Sequence, residues 1–229
     1  MRTILIIGGS RGVGKSILDA QLALGNRVIN ISRTQADVSD NNLEQYSADV
    51  LVDELPTFDD KIDALFYCPG SINLKPISSL SLNDFREDLE INFIAAIKVI
   101  QHYLTQLKAA DNPSVLLFST VAVKLGMPYH SSVAASKAAV EGLVKSLGAE
   151  WAPSIRINAI ALSLTDTDLA SRLLRNEKMR ETMEQRHPLK RILDAKEVAS
   201  FANYLCSDEA KSFSGQIFEM DNGIVSFKI

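Results

Sequence analysis

Short, continuously apolar runs alternate with helix-patterned segments along the whole chain, and this alternation narrows its possible folds more than any other feature. Residues 3–7, 27–31, 62–67, 115–119, 155–162 and 216–220 read as strands, with a poorer one at 47–50. Helical spacing marks residues 13–24, 132–151 and 196–207, and a charged helical stretch covers 168–186. Ser81, with Asp84 three residues on, reads as a helix N-cap. Behind it Leu82, Phe85, Leu89 and Phe93 keep helical spacing, and that helix is expected to run to Ala110. A strand that is apolar at every position must be covered on both faces, which is the condition of a parallel sheet under helices. The expected fold is α/β, a doubly wound parallel sheet of about seven strands. With no repeat, low-complexity tract or linker, it should form a single domain over residues 1–229. Residues 51–61 are few and include Pro56, so a crossover helix barely fits there.

Composition removes several functional classes. A net charge of −4 offers no basic field for nucleic acid. Cys68 and Cys206 are too few for a disulfide framework or a cysteine zinc site, and His102, His130 and His187 lack metal-ligand spacing. The apolar run Ile4–Ile7 is far shorter than the core of a secretory signal, and no stretch approaches the roughly 20 apolar residues of a membrane span. The expected location is the cytoplasm, with no metal, nucleic-acid or membrane partner.

The first strand leads into Ile7-Gly8-Gly9-Ser10-Arg11-Gly12-Val13-Gly14. Glycines at such a turn let a pyrophosphate approach backbone N–H groups at the N-terminus of the next helix. The loop is ambiguous, because Gly9 to Ser16 also spells the G-x-x-x-x-G-K-S of a phosphate-binding nucleotide hydrolase. Residues 50–54 even resemble an apolar strand ending in a magnesium-binding carboxylate. Against the hydrolase stands Asn30-Ile31-Ser32-Arg33, about 20 residues downstream, where a dinucleotide fold reads the ribose. An acid there would favour NAD, whereas Ser32 and Arg33 suit the 2′-phosphate of NADP(H), and Arg11 adds a second positive charge.

Taken in order, the motifs resemble those of the short-chain dehydrogenase/reductase family over essentially the whole chain. After the glycine loop, Asp49-Val50 resembles the pair that meets the adenine, and Tyr67-Cys68-Pro69-Gly70 the strand end whose glycine alone is kept. Asn92 resembles the helix asparagine that holds a proton-relay water, and Thr120 stands where the catalytic serine is expected. Residues 134–140 are similar to the catalytic helix, with Lys137 in place, while Thr167-Asp168 belongs to the loop on the nicotinamide side. The resemblance implies a Rossmann fold and NADP(H) held by Gly8, Ser10, Arg11, Gly12, Val13, Gly14, Ser32, Arg33, Asp49, Val50, Gly70, Lys137 and Thr167. It also implies departures: Val133 stands where the family's tyrosine precedes the lysine by four, and Leu162-Ser163 where Pro-Gly is usual.

Those departures bear on chemistry. Reduction of a carbonyl needs a proton for the developing alkoxide, and a tyrosine whose pKa a nearby cation lowers can supply it. A lysine four residues later lies one helical turn away on the same face. Valine has no proton to give. The expected catalytic set is Thr120, Asn92 and Lys137, with Tyr129 or His130 as a relocated acid. Substrates would be small carbonyls or alcohols, turned over with atypical or reduced activity. A non-catalytic NADP(H)-binding sensor or scaffold is the alternative, and a nucleotide hydrolase the remote one. The basic residues of 168–191 suit either an anionic substrate or a solvated lid. Surplus apolar residues on the helix after Ser132 point to a homo-oligomer, which the resemblance implies is a tetramer or a dimer.

Overall fold

The computed structural model describes residues 1–227. Its first half runs β1 (Thr3–Ile7), α1 (Gly12–Ala23), β2 (Arg27–Ser32), β3 (Leu43–Ser47), β4 (Ala64–Tyr67), α2 (Leu82–Leu89), α3 (Ala95–His102) and α4 (Leu104–Lys108). The second runs β5 (Ser114–Thr120), α5 (Ser131–Trp151), β6 (Arg156–Leu162), β7 (Thr165–Asp166), α6 (Glu177–Arg186), β8 (Leu193–Asp194), α7 (Ala195–Leu205) and β9 (Ile217–Met220). Seven strands form one parallel sheet in the order β3-β2-β1-β4-β5-β6-β9, and β7 pairs with β8 apart from it. This is the doubly wound sheet the sequence leads one to expect. The chain order reverses between β1 and β4, which opens a crevice beyond their carboxyl ends.

Strand period places alternate residues on opposite faces. Leu5, Ile7, Leu65 and Leu117 pack on one side with Val99 of α3, Tyr103 just after it, and Val140 and Val144 of α5. Ile4, Ile6, Phe66 and Leu116 pack on the other with Ile17, Leu18, Val198 and Leu205 of α1 and α7. Burial of each such side chain contributes about 1.5–3 kcal/mol, so both helical layers are needed to hold the sheet.

Three expectations need correction. The third strand is Leu43–Ser47, not residues 47–50. It is an edge strand paired only with β2, so its polar sequence carries no continuous apolar run. Residues 49–53 instead form a turn in which the Asp53 N–H meets the Asp49 carbonyl at 2.8 Å, and Val50 is buried in the core.

The helix read over 82–110 is divided: a π turn, Glu90–Ile94, joins α2 to α3, and Tyr103 separates α3 from α4. The extra residue of a π turn rotates the helix face. Asp88, Asn92, Ala95, Ala96 and Val99 are therefore buried, while Leu82 (74% exposed) and Leu89 (37% exposed) turn outward.

The charged stretch 168–186 is a single 3₁₀ turn followed by α6, which the Asn176 side chain restarts by accepting the Met179 N–H at 2.9 Å. The Ser81–Asp84 capping box forms as read.

Candidate active site

The loop after β1 is shaped by what its glycines lack. Gly12 holds φ +54°, a left-handed conformation that a side chain disfavours. A Cβ on Gly14 would lie 2.2 Å from the Gly8 carbonyl oxygen, so helix and loop meet more closely than any side chain permits. The loop is pinned from β2: Asn30 Oδ1 accepts the Gly9 N–H at 3.0 Å and the Ser32 hydroxyl at 2.8 Å. Arg11 and Arg33 are exposed, and among the described residues neither guanidinium has an ion-pair or hydrogen-bond partner. Both line a cleft of about 1290 Å³ that runs across the carboxyl ends of the strands.

The nucleotide-hydrolase reading fails here. Lys15, its signature lysine, is outside the cleft and paired with Asp19 at 2.7 Å one turn along α1. The supposed magnesium strand is the turn at residues 49–53.

The structure brings most of the expected residues to one cleft. Gly8, Arg11, Gly12, Val13, Gly14, Ser32, Arg33, Asp49, Val50, Gly70, Thr120, Tyr129, Lys137 and Thr167 all line it. Two do not. The Ser10 hydroxyl instead accepts from Thr34 at 3.3 Å, and Asn92 is buried behind the wall. Asp49 also has a local task, its carboxylate taking the Leu51 N–H at 3.0 Å.

The opposite end of the cleft is built from α5, the end of β5 and the segment after β4. Lys137 is 9% exposed, and its Nζ donates to the Phe118 carbonyl at 2.9 Å. Burial lowers its pKa from 10.5 to about 8, although Cys68 and Asp88 pull the other way. One turn earlier Val133, 4% exposed, lines the same cleft. Thr120 Oγ1 accepts the Ala122 N–H at 3.3 Å, which leaves its own hydroxyl proton free. Tyr129 is at the rim, 57% exposed, with a left-handed φ of +70°. His130 is engaged with the Pro128 carbonyl at 2.8 Å. Burial pushes the Cys68 thiol up to about 12, so no thiolate forms there at neutral pH.

A polar chain that sequence reading missed runs beneath this end. Asn92 Nδ2 donates to Ser136 at 3.1 Å and to Ser71 at 3.2 Å. Ser71 donates in turn to Asp88 Oδ1 at 2.5 Å, and Asn73 donates to the same oxygen at 3.1 Å. Asp88 is fully buried, and its Oδ2 has no partner among the described residues. The sequence did hold a signal, because Asp88 stands four residues before Asn92 and shares its helix face.

Among the described residues no group of acids, histidines and cysteines is placed to hold a metal ion, and no helix is long and apolar enough to cross a membrane.

A family model described as enoyl-(acyl carrier protein) reductase matches residues 11–225. A tropinone reductase homologue of Datura stramonium is 30% identical over 96% of this chain and 91% of its own length. A short-chain dehydrogenase family protein of Francisella tularensis superposes with a TM-score of 0.89 at 23% identity, covering 99% of this chain and all of that one. ElxO, solved with NADP bound, superposes with a TM-score of 0.88 at 21% identity over 99% of both chains.

Proposed function

The chain belongs to the short-chain dehydrogenase/reductase family, and from that membership we propose that it is an NADP(H)-dependent oxidoreductase acting on a small carbonyl or alcohol. One observation carries the cofactor choice: a glycine-rich loop and two guanidinium groups without partners among the described residues, Arg11 within it and Arg33 after β2, line a single cleft at the sheet's reversal point. A fork of donors suits a 2′-phosphate better than a ribose hydroxyl. That ElxO was solved with NADP bound supports the same reading.

In this reading Gly8, Arg11, Gly12, Val13 and Gly14 hold the pyrophosphate, with N–H groups at the start of α1 facing it. Ser32 and Arg33 meet the 2′-phosphate, Asp49 and Val50 the adenine, and Gly70, Lys137 and Thr167 the nicotinamide half. Ser10, whose side chain is outside the cleft, has at most a backbone part. The bound cofactor supplies the hydride. Thr120 orients the substrate oxygen with its free hydroxyl proton, and Asn92 holds the polar chain that supports the wall behind Lys137.

Val133 takes the position of the family's proton-donating tyrosine, which makes the activity atypical. Among the groups lining the cleft, Tyr129, His130 and Lys137 still carry a transferable proton. Loss of NADPH absorbance over a panel of activated carbonyls tests the reading, and turnover of at least one is expected. The same valine favours a second reading, a non-catalytic NADP(H) sensor, and NADPH binding without turnover would favour it.

The protein is also proposed to be a homo-oligomer, a tetramer or a dimer. Leu89, Ile94, Ala135 and Ala138 leave an exposed apolar strip on α2, the π turn and α5. Light scattering at micromolar concentration should give at least twice the monomer mass. A monomer contradicts this.

A further inference from the structure

Tyr129 is more than half exposed at the rim of the cleft, and among the described residues its hydroxyl has no hydrogen-bond partner, cationic or otherwise. Lys137 is its opposite in every respect. Its Nζ donates to the Phe118 carbonyl at 2.9 Å and lies 3.6 Å from where a Cβ on Gly70 would stand. The amine is therefore wedged between the ends of β4 and β5, inside the crevice. Of its three N–H donors one is used, and no carboxylate among the described residues is within ion-pair distance.

We propose that Lys137 is itself the proton donor, giving its proton directly to the substrate oxygen that Thr120 orients. The inference rests on the carbonyl-reductase reading above and deepens it. One turn earlier on the same helix face stands Val133, which has no proton to offer. Phe118 and Thr120 are two residues apart on β5, about 7 Å at the rise of a strand. A substrate oxygen seated between them would be met from one side by the Thr120 hydroxyl and from the other by an N–H of Nζ.

Electrostatics agree with the geometry. Charged or titratable groups face Nζ from two elements: Asp88 on α2, whose carboxylate favours the charged amine, and Cys68 at the end of β4, an uncharged thiol at neutral pH. The β5 strand presents a neutral carbonyl. Burial outweighs these and brings Lys137 to about 8, so at neutral pH the amine is charged yet close to releasing its proton, the condition in which a general acid works best. As the carbonyl carbon is reduced, the C=O π pair becomes an alkoxide lone pair. That pair takes a proton from Nζ: one N–H bond breaks, one O–H bond forms, and the neutral amine regains its proton from water.

Lysine-labelled protein with ¹³C at Cε allows the titration to be read without turnover, the Lys137 signal being the one lost in Lys137→Arg. A midpoint near pH 8 is expected, and the ordinary value of 10.5 overturns the proposal. Single-turnover reduction of an o-quinone and an α-diketone is then followed against pH with NADPH in excess. In the parent the rate should fall as pH rises through about 8. Lys137→Arg keeps the positive charge and its hydrogen bonds but cannot release a proton. It should still bind NADPH while losing about 10²–10⁴-fold in rate. If the arginine variant keeps most of the parental rate and pH profile, or if Tyr129→Phe alone silences the protein, Lys137 is not the donor. NADPH binding without turnover by the parent also overturns the proposal. Absence of NADPH binding by the parent identifies the cofactor reading as the step that failed.

Discussion

Where β1 and β2 end, the wall of the cleft is largely main chain, flanked by the Arg11 and Arg33 side chains. Gly8, Gly12 and Gly14 expose peptide groups, and Asn30 uses its side chain to hold Gly9 in place. Where β5 ends and α5 begins, the wall is side chains: Thr120, Val133 and Lys137, backed by Asn92, Ser71 and Asp88. The two walls have different tolerances. In the first, an added methyl group on Gly14 meets a backbone oxygen that cannot move aside. In the second, a residue such as Val133 can replace another without disturbing any strand. The chemical wall therefore tolerates side-chain exchange that the glycine loop does not.

The largest effect expected from breaking the contrast is at Val133. Val133→Tyr places a hydroxyl one turn before Lys137, and reduction of small activated carbonyls should rise, short of the full ~10²–10⁴-fold of a general acid because Lys137 already supplies a proton in the parent. The ring must extend into the cleft, because Val133 is only 4% exposed and the core side is closely packed. NADPH binding by the variant is the control for folding. Normal binding with no gain in rate would mean that the wall differs by more than this one residue.

Next is the cost of keeping a buried amine. Lys137 has a folded pKa of about 8, below its ordinary 10.5, so burial penalises the charged form. Between those values the unfolded chain binds more protons, and stability contributed through this group rises with pH. The penalty is full below about pH 8 and gone above about 10.5. Lys137→Met should therefore raise thermal stability at pH 7, by up to about 3 kcal/mol, with the advantage shrinking toward pH 10. A variant less stable than its parent at pH 7 would show that the lysine holds the wall together.

Much of this was legible beforehand, and the failures have physical causes. Ile4 to Ile7 and residues 27–31 were readable because central parallel strands are apolar on both faces. The polar edge strand Leu43–Ser47 was not, since only one of its sides is paired. Nothing in Glu90–Ile94 announces a π turn, and of the spaced residues Leu82, Phe85, Leu89 and Phe93 only Phe93, past the start of that turn, packs against the core, while Leu82 and Leu89 are exposed. That spacing hid Asp88, a charge on what proves to be the buried stripe. The glycine loop is readable in the sequence but spells two motifs at once, which the pairing of Lys15 with Asp19 and the turn at residues 49–53 separate.

A smaller effect probes the main-chain wall. Asn30→Ala removes the acceptor of a buried Gly9 N–H and of the Ser32 hydroxyl. An orphaned buried donor costs about 1–3 kcal/mol. The melting temperature should fall and NADPH affinity with it, whereas Lys137 should still titrate as in the parent. Unchanged NADPH affinity would mean that the loop keeps its shape without this anchor.

The preference of the cleft among nucleotides is the most direct test of its two guanidinium groups. Calorimetric titration of the protein with NADPH, NADH and ATP at fixed salt compares the three directly. NADPH should bind at least tenfold more tightly than NADH, consistent with about 1.5–3 kcal/mol from hydrogen bonds between a guanidinium and a phosphate. Arg33→Ala should erase most of that preference while leaving NADH binding nearly unchanged. Equal affinity of the parent for NADPH and NADH, or tighter binding of ATP than of either, would contradict the account.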